Sequence, residues 1–231
     1  MVKRKLARFA EMANFKNVVQ PKFDEIFQCD YKLKGNWAQD FFRNNSPIVL
    51  ELGCGKGEYT VGMARKYPEK NFIGIDIKGA RIWRGAKTAI EDKISNVAFI
   101  RTKIDFINSF FAKNEISEIW LTFSDPQPKK AHKRLSSSRF LGYYQNLLIN
   151  NGIINLKTDN TDLYKYTLDV IKLNNLEIIT NYEDVYAEKN KEDILSIKTF
   201  YEQQFLQEEK TIHYIKFKLN TNINLEEPKS E

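Results

Sequence analysis

The chain has 231 residues, enough for one domain of ordinary size with extensions, and its 42% hydrophobic content supports a proper core. No stretch approaches the roughly 18 apolar residues of a membrane span, and the basic N-terminus, Met1 to Ala10, lacks the apolar centre of a signal peptide. A formal net charge of +6 hints at a polyanionic partner, and the two cysteines, Cys29 and Cys54, point to a reducing compartment because Cys54 lies in a glycine-rich turn. The chain is expected to be soluble and cytoplasmic.

Residues 1–47 carry scattered basic and aromatic side chains without strand alternation and read as an N-terminal extension, an arm plus a helix or two. From Ile48 short apolar runs begin, at 48–52, 71–77, 96–100, 118–123 and 152–158, each about the length of a buried strand. Helices are expected between and after them over 57–67, 79–93, 105–114, 137–150 and 160–174. That alternation predicts an α/β fold with a doubly wound, mostly parallel sheet. Beyond residue 175 come a strand at 176–182, a polar stretch, a short helix over 199–209 and an alternating strand at 211–219; the two late strands suggest an antiparallel hairpin at the sheet edge. The globular domain therefore spans 48–219, and residues 220–231, without an apolar face, read as a disordered tail.

The segment ELGCGKGE (51–58) falls where the first strand ends and a helix begins, the edge at which open parallel sheets bind ligands. Gly53, Gly55 and Gly57 permit tight backbone conformations, although glycines alone also describe an ordinary turn. The flanking charges discriminate: Glu51 and Glu58 would repel a pyrophosphate, whereas S-adenosyl-L-methionine carries an ammonium and a sulfonium. Asp76, about 20 residues on, stands where an acid accepts hydrogen bonds from ribose hydroxyls. A turn or cap aspartate is the plainer alternative.

After the fourth strand comes TFSDPQPKKAHKR (122–134). Asp125 should face the cofactor from the carboxyl edge, stiffened by Pro126 and Pro128. Lys129, Lys130, His132, Lys133 and Arg134 form a cationic cluster suited to phosphate oxygens, where a solvated loop is the bland alternative. Asp159, in LKTDN, is either a base-binding acceptor or a helix N-cap. Thr199, Tyr201 and Glu202, in TFYE, either touch a nucleotide or, for Thr199 and Glu202, form a capping box, which their spacing alone favours.

In this order, ELGCGKG, the aspartate of GIDIKGARI, FSDPQPKKAHKR, LKTDN and TFYE resemble the bacterial tRNA (guanine-N7-)-methyltransferase family, over about residues 48–219. The resemblance implies a class I methyltransferase sheet of seven strands with the last antiparallel, S-adenosyl-L-methionine as cofactor, and tRNA as partner, modified at guanine 46 of the variable loop. It assigns Glu51, Gly53, Gly55 and Asp76 to the cofactor, and Asp125 to catalysis and cofactor contact. Lys129, with His132, Lys133 and Arg134 of its cluster, Asp159, Thr199, Tyr201 and Glu202 fall to the substrate. No metal and no obligate protein partner are expected. The sequence departs from the family pattern at Ser124 and Gln127, where the family has proline and tryptophan around the aspartate, and at Lys103 and Ile104, where it has aspartate and alanine. Two other readings stay open: a methyltransferase for an exocyclic amino group, because SDPQP also resembles the loops that polarise an NH2, and a non-catalytic RNA-binding subunit of the same fold.

Overall fold

A computed structural model describes residues 2–229, and contacts divide the chain into two compact units, Met1–Ala112 and Lys113–Glu231. Met1 of the extension and residues 230–231 of the tail lie outside the described residues. No helix among the described residues is long and apolar enough to cross a membrane.

The first unit contains α1 (Val2–Met12), β1 (Val18–Val19), β2 (Ile48–Leu52), α2 (Glu58–Lys66), β3 (Asn71–Asp76), α3 (Gly79–Glu91) and β4 (Val97–Arg101). Its strands lie in the order β1-β4-β3-β2, all parallel. Every residue of β2 is buried, and so are the first five of β3 and the first four of β4. Strands covered on both faces have no polar side to alternate with, which is why they read as unbroken apolar runs. The register sets Glu51, Gly74 and Phe99 side by side across β2, β3 and β4.

Residues before Ile48 contribute α1 and a π-helical turn, and both are tied to the rest of the first unit. Glu11 of α1 accepts hydrogen bonds from Trp83 Nε1 and Lys87 Nζ of α3, both at 2.7 Å, and Arg8 lies 4.6 Å over the Trp83 ring. Trp37, in a π-helical turn at Trp37–Phe42, is fully buried and donates its Nε1 proton to Phe110 O at 2.8 Å. Two residues, Val18 and Val19, pair with Phe99 and Ile100 and add an eighth strand to the seven expected. The helix expected at 105–114 is a 3-10 helix at Ile104–Ser109. Its β-branched, aromatic, Asn and Ser residues are weak helix formers, and Ser109 Oγ is drawn to Ile26 O at 2.8 Å.

The second unit contains β5 (Ile116–Thr122), α4 (Ser138–Gln145), β6 (Leu148–Thr158), α5 (Thr161–Leu173), β7 (Ile178–Tyr182), α6 (Phe200–Gln207) and β8 (His213–Leu219). The order is β5-β6-β8-β7; β5 and β6 are parallel, and β8 runs antiparallel to both neighbours. Helix α4 is shorter than the expected 137–150, because Leu148 already pairs with Ile116 of β5.

The segment read as a disordered tail follows a defined path through residue 229. Gln145 Nε2 donates to Asn220 O and Ile223 O at 2.9 Å, and Asn174 exchanges two hydrogen bonds with the Glu226 backbone at 2.9 and 2.7 Å. Glu227 accepts from Tyr166 Oη and, at 2.9 Å, from Ser138 N. These are polar contacts, to which an apolar-periodicity reading is blind.

A buried ion pair ties together the carboxyl half of β6, the turn at Asp193–Ser196 and α6. Lys157 and Glu202 side chains are both fully buried, 2.6 Å apart. Lys157 Nζ also donates to Leu195 O and Ile197 O at 3.1 and 3.3 Å, and Glu202 accepts from Tyr186 Oη at 2.8 Å. Burial pulls the Lys157 pKa down while Glu202 opposes the shift. Glu202→Ala, which strands the lysine, should cost about 3–5 kcal/mol in urea unfolding. The double replacement Lys157→Met with Glu202→Leu should cost much less, and equal losses in the two would contradict this account.

Candidate active site

In the first unit the glycine loop turns from β2 into α2 with Gly53, Gly55 and Gly57 all left-handed, at φ of 78°, 55° and 69°. At Gly57 space also decides, since a Cβ there would lie 2.5 Å from the Phe99 ring. Gly85 of α3 faces the same loop, and a Cβ on it would meet Lys56 O at 2.6 Å. At Gly55 nothing lies within 4 Å of the place a Cβ would take, so only backbone conformation requires glycine.

Glu51 is only 2% exposed. It accepts from Thr60 N at 2.8 Å and from the Thr60 hydroxyl, so it does for the third residue of α2 what a cap side chain does. Gly74 of β3 makes the room, because a Cβ there would stand 2.7 Å from Thr60 Oγ1. Asp76, at the end of β3, accepts from Gly55 N at 2.9 Å on one oxygen and from Lys78 N at 2.7 Å on the other. Each carboxylate oxygen has a second lone pair, so Asp76 clips the loop and keeps acceptor capacity for hydroxyls. Cys54 is buried in the loop, and burial together with the charges of Glu51 and Asp76 pushes its thiol pKa well up.

In the second unit Asp125 and Asp159 follow the carboxyl ends of the adjacent parallel strands β5 and β6. Phe123 N donates to Lys157 O at 2.8 Å. Asp125 is exposed, and its Oδ1 accepts from Gln127 N at 3.0 Å, an Asx turn that orients the carboxylate. Phe123 and Gln127, two residues to either side, hold left-handed φ values of 49° and 44°. Such values cost on the order of 1–3 kcal/mol each and persist where the surroundings over-determine them. Arg134 supplies part of that bracing: Nε donates to Pro126 O at 2.9 Å, and its guanidinium lies 4.3 Å over Tyr166, whose hydroxyl bonds Glu227.

Lys129, Lys130, His132 and Lys133 line the loop that follows, and Lys129, Lys130 and Lys133 reach solvent along it. Arg134, expected among them, instead folds back onto its own loop. Asp159 is one-fifth exposed and is not the cap of α5, a role taken by Asn160, whose Oδ1 accepts from Leu163 N at 2.8 Å. Its neighbour is Lys210, 3.7 Å away. Of the two readings open at Thr199 and Glu202, the capping box is present: Thr199 Oγ1 accepts from Glu202 N at 3.1 Å, and the Glu202 carboxylate returns to Thr199 N. Glu202 has its partners inside the chain, whereas Tyr201 is 40% exposed.

Each unit thus gathers its own set: Glu51, Gly53, Gly55 and Asp76 around the loop of the first, Asp125, the cationic cluster and Asp159 at one strand edge of the second. Sequence reading missed Thr60, Gly74 and Thr102. Thr102 follows β4, donates its N–H to Asp76 O at 3.2 Å and has a buried hydroxyl without a partner among the described residues. It also missed Phe205, whose ring lies 5.7 Å from Phe123 and 6.5 Å from Tyr201 and under Lys210 Nζ at 4.5 Å. The aromatic residues in the helical stretch after TFYE were the available signal.

Alternating strands and helices, a left-handed glycine turn after β2 and an acid ending β3 are features that class I S-adenosylmethionine-dependent methyltransferases present, and the chain's relatives place it in that class. Solved structures share the fold: a 16S rRNA methyltransferase, KamB, at TM-score 0.59 and 10% identity, over 76% of this chain and 89% of that one, and an antibiotic-related methyltransferase at 0.60 and 13%, over 89% and 98%. A family described as "Putative methyltransferase" matches residues 45–215. The tRNA (guanine-N(7)-)-methyltransferase of Bacteroides fragilis (strain YCH46) is 50% identical over 100% of this chain and 92% of its own length. That of Christiangramia forsetii is 52% identical over 94% and 98%. The chain belongs to the tRNA (guanine-N7-)-methyltransferase family.

The loop geometry ranks its glycines. Gly55→Ala should cost about 1–2 kcal/mol, the left-handed penalty alone. Gly57→Ala adds a clash with Phe99 and should cost at least about 1 kcal/mol more. Chemical denaturation of both variants checks the order, and equal losses would remove the steric argument.

Proposed function

We propose that this chain transfers a methyl group from S-adenosyl-L-methionine to N7 of a guanine in tRNA, with guanine 46 of the variable loop as the expected position and the cytoplasm as its place of work. The observation that carries this reading is Asp125: an exposed carboxylate held by an Asx turn in a braced loop, with a cationic cluster a few residues on.

The residues of the first unit suit the donor. The N-terminus of α2, which in a dinucleotide site would receive a pyrophosphate, is occupied by the Glu51 carboxylate, so the loop offers negative charge where a phosphate would need its opposite. Asp76 is placed to accept from ribose hydroxyls, and the open space at Gly55 allows close approach. When bound, S-adenosylmethionine supplies a methyl group on a cationic sulfur that leaves as neutral S-adenosylhomocysteine while the bond to N7 forms.

Guanine N7 already carries an in-plane lone pair, so no residue has to act as a strong base. What the chain must do is align, a contribution of roughly 7–11 kcal/mol in favourable cases. The purine becomes positively charged as it is methylated, and a fixed carboxylate at Asp125 stabilises that charge as it develops. Asp159, once parted from Lys210, is suited to accept from N1–H and N2–H of the base. The rings of Tyr201 and Phe205 offer a stacking surface of the kind that holds splayed RNA bases. Lys129, Lys130, His132 and Lys133 meet phosphate oxygens.

Purified chain, labelled donor and tRNA should yield 7-methylguanosine by nucleoside mass spectrometry. Methyl on an exocyclic amino group would overturn the reading in favour of the amino-group alternative, and no transfer by the chain alone would favour a binding subunit. Asp125→Ala should lower the rate on the order of 100-fold or more with the circular dichroism spectrum unchanged. Lys129→Ala and Lys133→Ala should each weaken tRNA binding and flatten the slope of log affinity against log salt by about 1. Arg134→Ala should leave that slope in place and slow turnover, since its guanidinium braces the loop; an unaltered slope in both lysine variants would remove the cluster from the RNA interface.

A further inference from the structure

The formal charge of the chain is unevenly divided. Residues 1–112 carry 20 Lys and Arg against 12 Asp and Glu, a charge of +8, while residues 113–231 carry 16 against 18 and come to −2. The excess of cations thus lies with the unit that holds the cofactor residues, and not with the unit that holds Asp125 and its lysines. A cationic donor gives that excess no purpose, because like charges repel.

Three elements of the first unit gather part of it. They meet at Gly79, the first residue of α3, where a Cβ would stand 2.6 Å from the Phe9 ring of α1 and 2.9 Å from Arg101 Cδ at the end of β4. Around this junction Arg8, Lys78, Arg81, Arg84, Arg101 and Lys103 are all exposed. Lys78, Arg81 and Arg84 recur every three residues along the outer side of α3, while Ile82, Gly85, Ala86 and Ala89 are buried. The first turn of α3 holds no acid. Cations at a helix N-terminus oppose its dipole, so their placement does not serve the helix. Two guanidinium groups are held by rings, Arg8 at 4.6 Å over Trp83 and Arg101 at 4.6 Å over Phe9. Stacking of this kind orients the planar fork that grips phosphate oxygens in pairs. The nearby acids are engaged elsewhere: Glu11 bonds Trp83 and Lys87, and Asp76 bonds the backbone N–H groups of Gly55 and Lys78.

We propose that this face of the first unit is a second RNA-binding surface, which takes backbone phosphates of the tRNA outside the target nucleotide. The proposal rests on the reading of tRNA as the substrate. Contacts of this class carry affinity and register but no base information, and they weaken steeply with salt. The lysines after Asp125 would then secure the region of the reacting guanine, while the first unit supplies most of the electrostatic attraction for the remainder of the molecule.

The test uses the full chain. One variant combines Arg81→Gln, Arg84→Gln and Lys103→Gln. A second combines Lys66→Gln, Lys70→Gln and Lys93→Gln, which removes the same charge from the first unit near the far ends of α2 and α3. The first variant should raise KM for tRNA on the order of 10-fold at low salt and flatten the slope of log affinity against log salt by about 2–3. Its kcat at saturating tRNA should hold, and its calorimetric affinity for S-adenosylmethionine should be no lower than that of the wild type. The second variant should keep the wild-type KM and slope.

Equal losses in the two variants would assign the effect to net charge and overturn the proposal, as would an unchanged slope in the first. If the first variant lost binding to phosphatidylserine vesicles and kept its affinity for tRNA, the face would belong to a membrane surface and the proposal would fall. If wild-type chain produces no 7-methylguanosine from tRNA, the functional reading itself fails; if it does and the first variant keeps its KM, only this inference falls.

Discussion

The carboxylate of Glu51 at the first turn of α2 is the interaction on which the chemistry of the first unit depends. A helix N-terminus presents unsatisfied N–H groups and a partial positive charge, and in many nucleotide-binding folds that is where phosphate is caught. Here Thr60 N–H and hydroxyl are both committed to Glu51 in the interior, so a protein anion already occupies part of the first turn. The arrangement draws on three strands and two helices. Gly74 leaves space for Thr60, Phe99 fills the space above Gly57, and Gly85 lets α3 approach the loop. The negative charge at this turn is therefore held in place by packing as much as by the loop.

The second unit solves a different problem, which is to hold an exposed carboxylate in one direction. Asp125 has no burial to fix it, and the rigidity comes from its surroundings: two left-handed residues, an Asx turn and the backbone bond from Phe123 to β6. Gln127, where the family pattern has tryptophan, contributes its backbone N–H and its torsion rather than a ring. The fully buried Lys157–Glu202 pair lies next to this anchor, since Lys157 O is the acceptor for Phe123 N. One lysine thus supports the loop with its main chain and α6 with its side chain.

The parts of this molecule that were legible in the sequence are those governed by local chemistry. Apolar runs at 48–52, 71–77, 96–100, 118–123 and 152–158 returned as strands β2 to β6 because parallel strands with both faces covered leave no other mark. The glycine loop was legible because tight turns need particular residues. What was not legible depended on distant partners: Thr60 as the ligand of Glu51, Arg134 turning to Pro126 rather than outward, Lys210 beside Asp159, and Trp37 bonded to the chain at Phe110. Thr199 and Glu202 carried two meanings at once, since their three-residue spacing serves a capping box whether or not a nucleotide is near.

The path of residues 220–229 has a mechanical corollary. Glu227 holds the Tyr166 hydroxyl, Tyr166 lies beneath the Arg134 guanidinium, and Arg134 grips the carbonyl of Pro126, next to Asp125. A relay of three side chains therefore connects the segment beyond β8 with the turn that carries Asp125. Clipping the chain after β8, or burdening that end with a bulky fusion, would slacken a loop far upstream, and assays on trimmed protein would report a slower enzyme without any change at the chemistry itself.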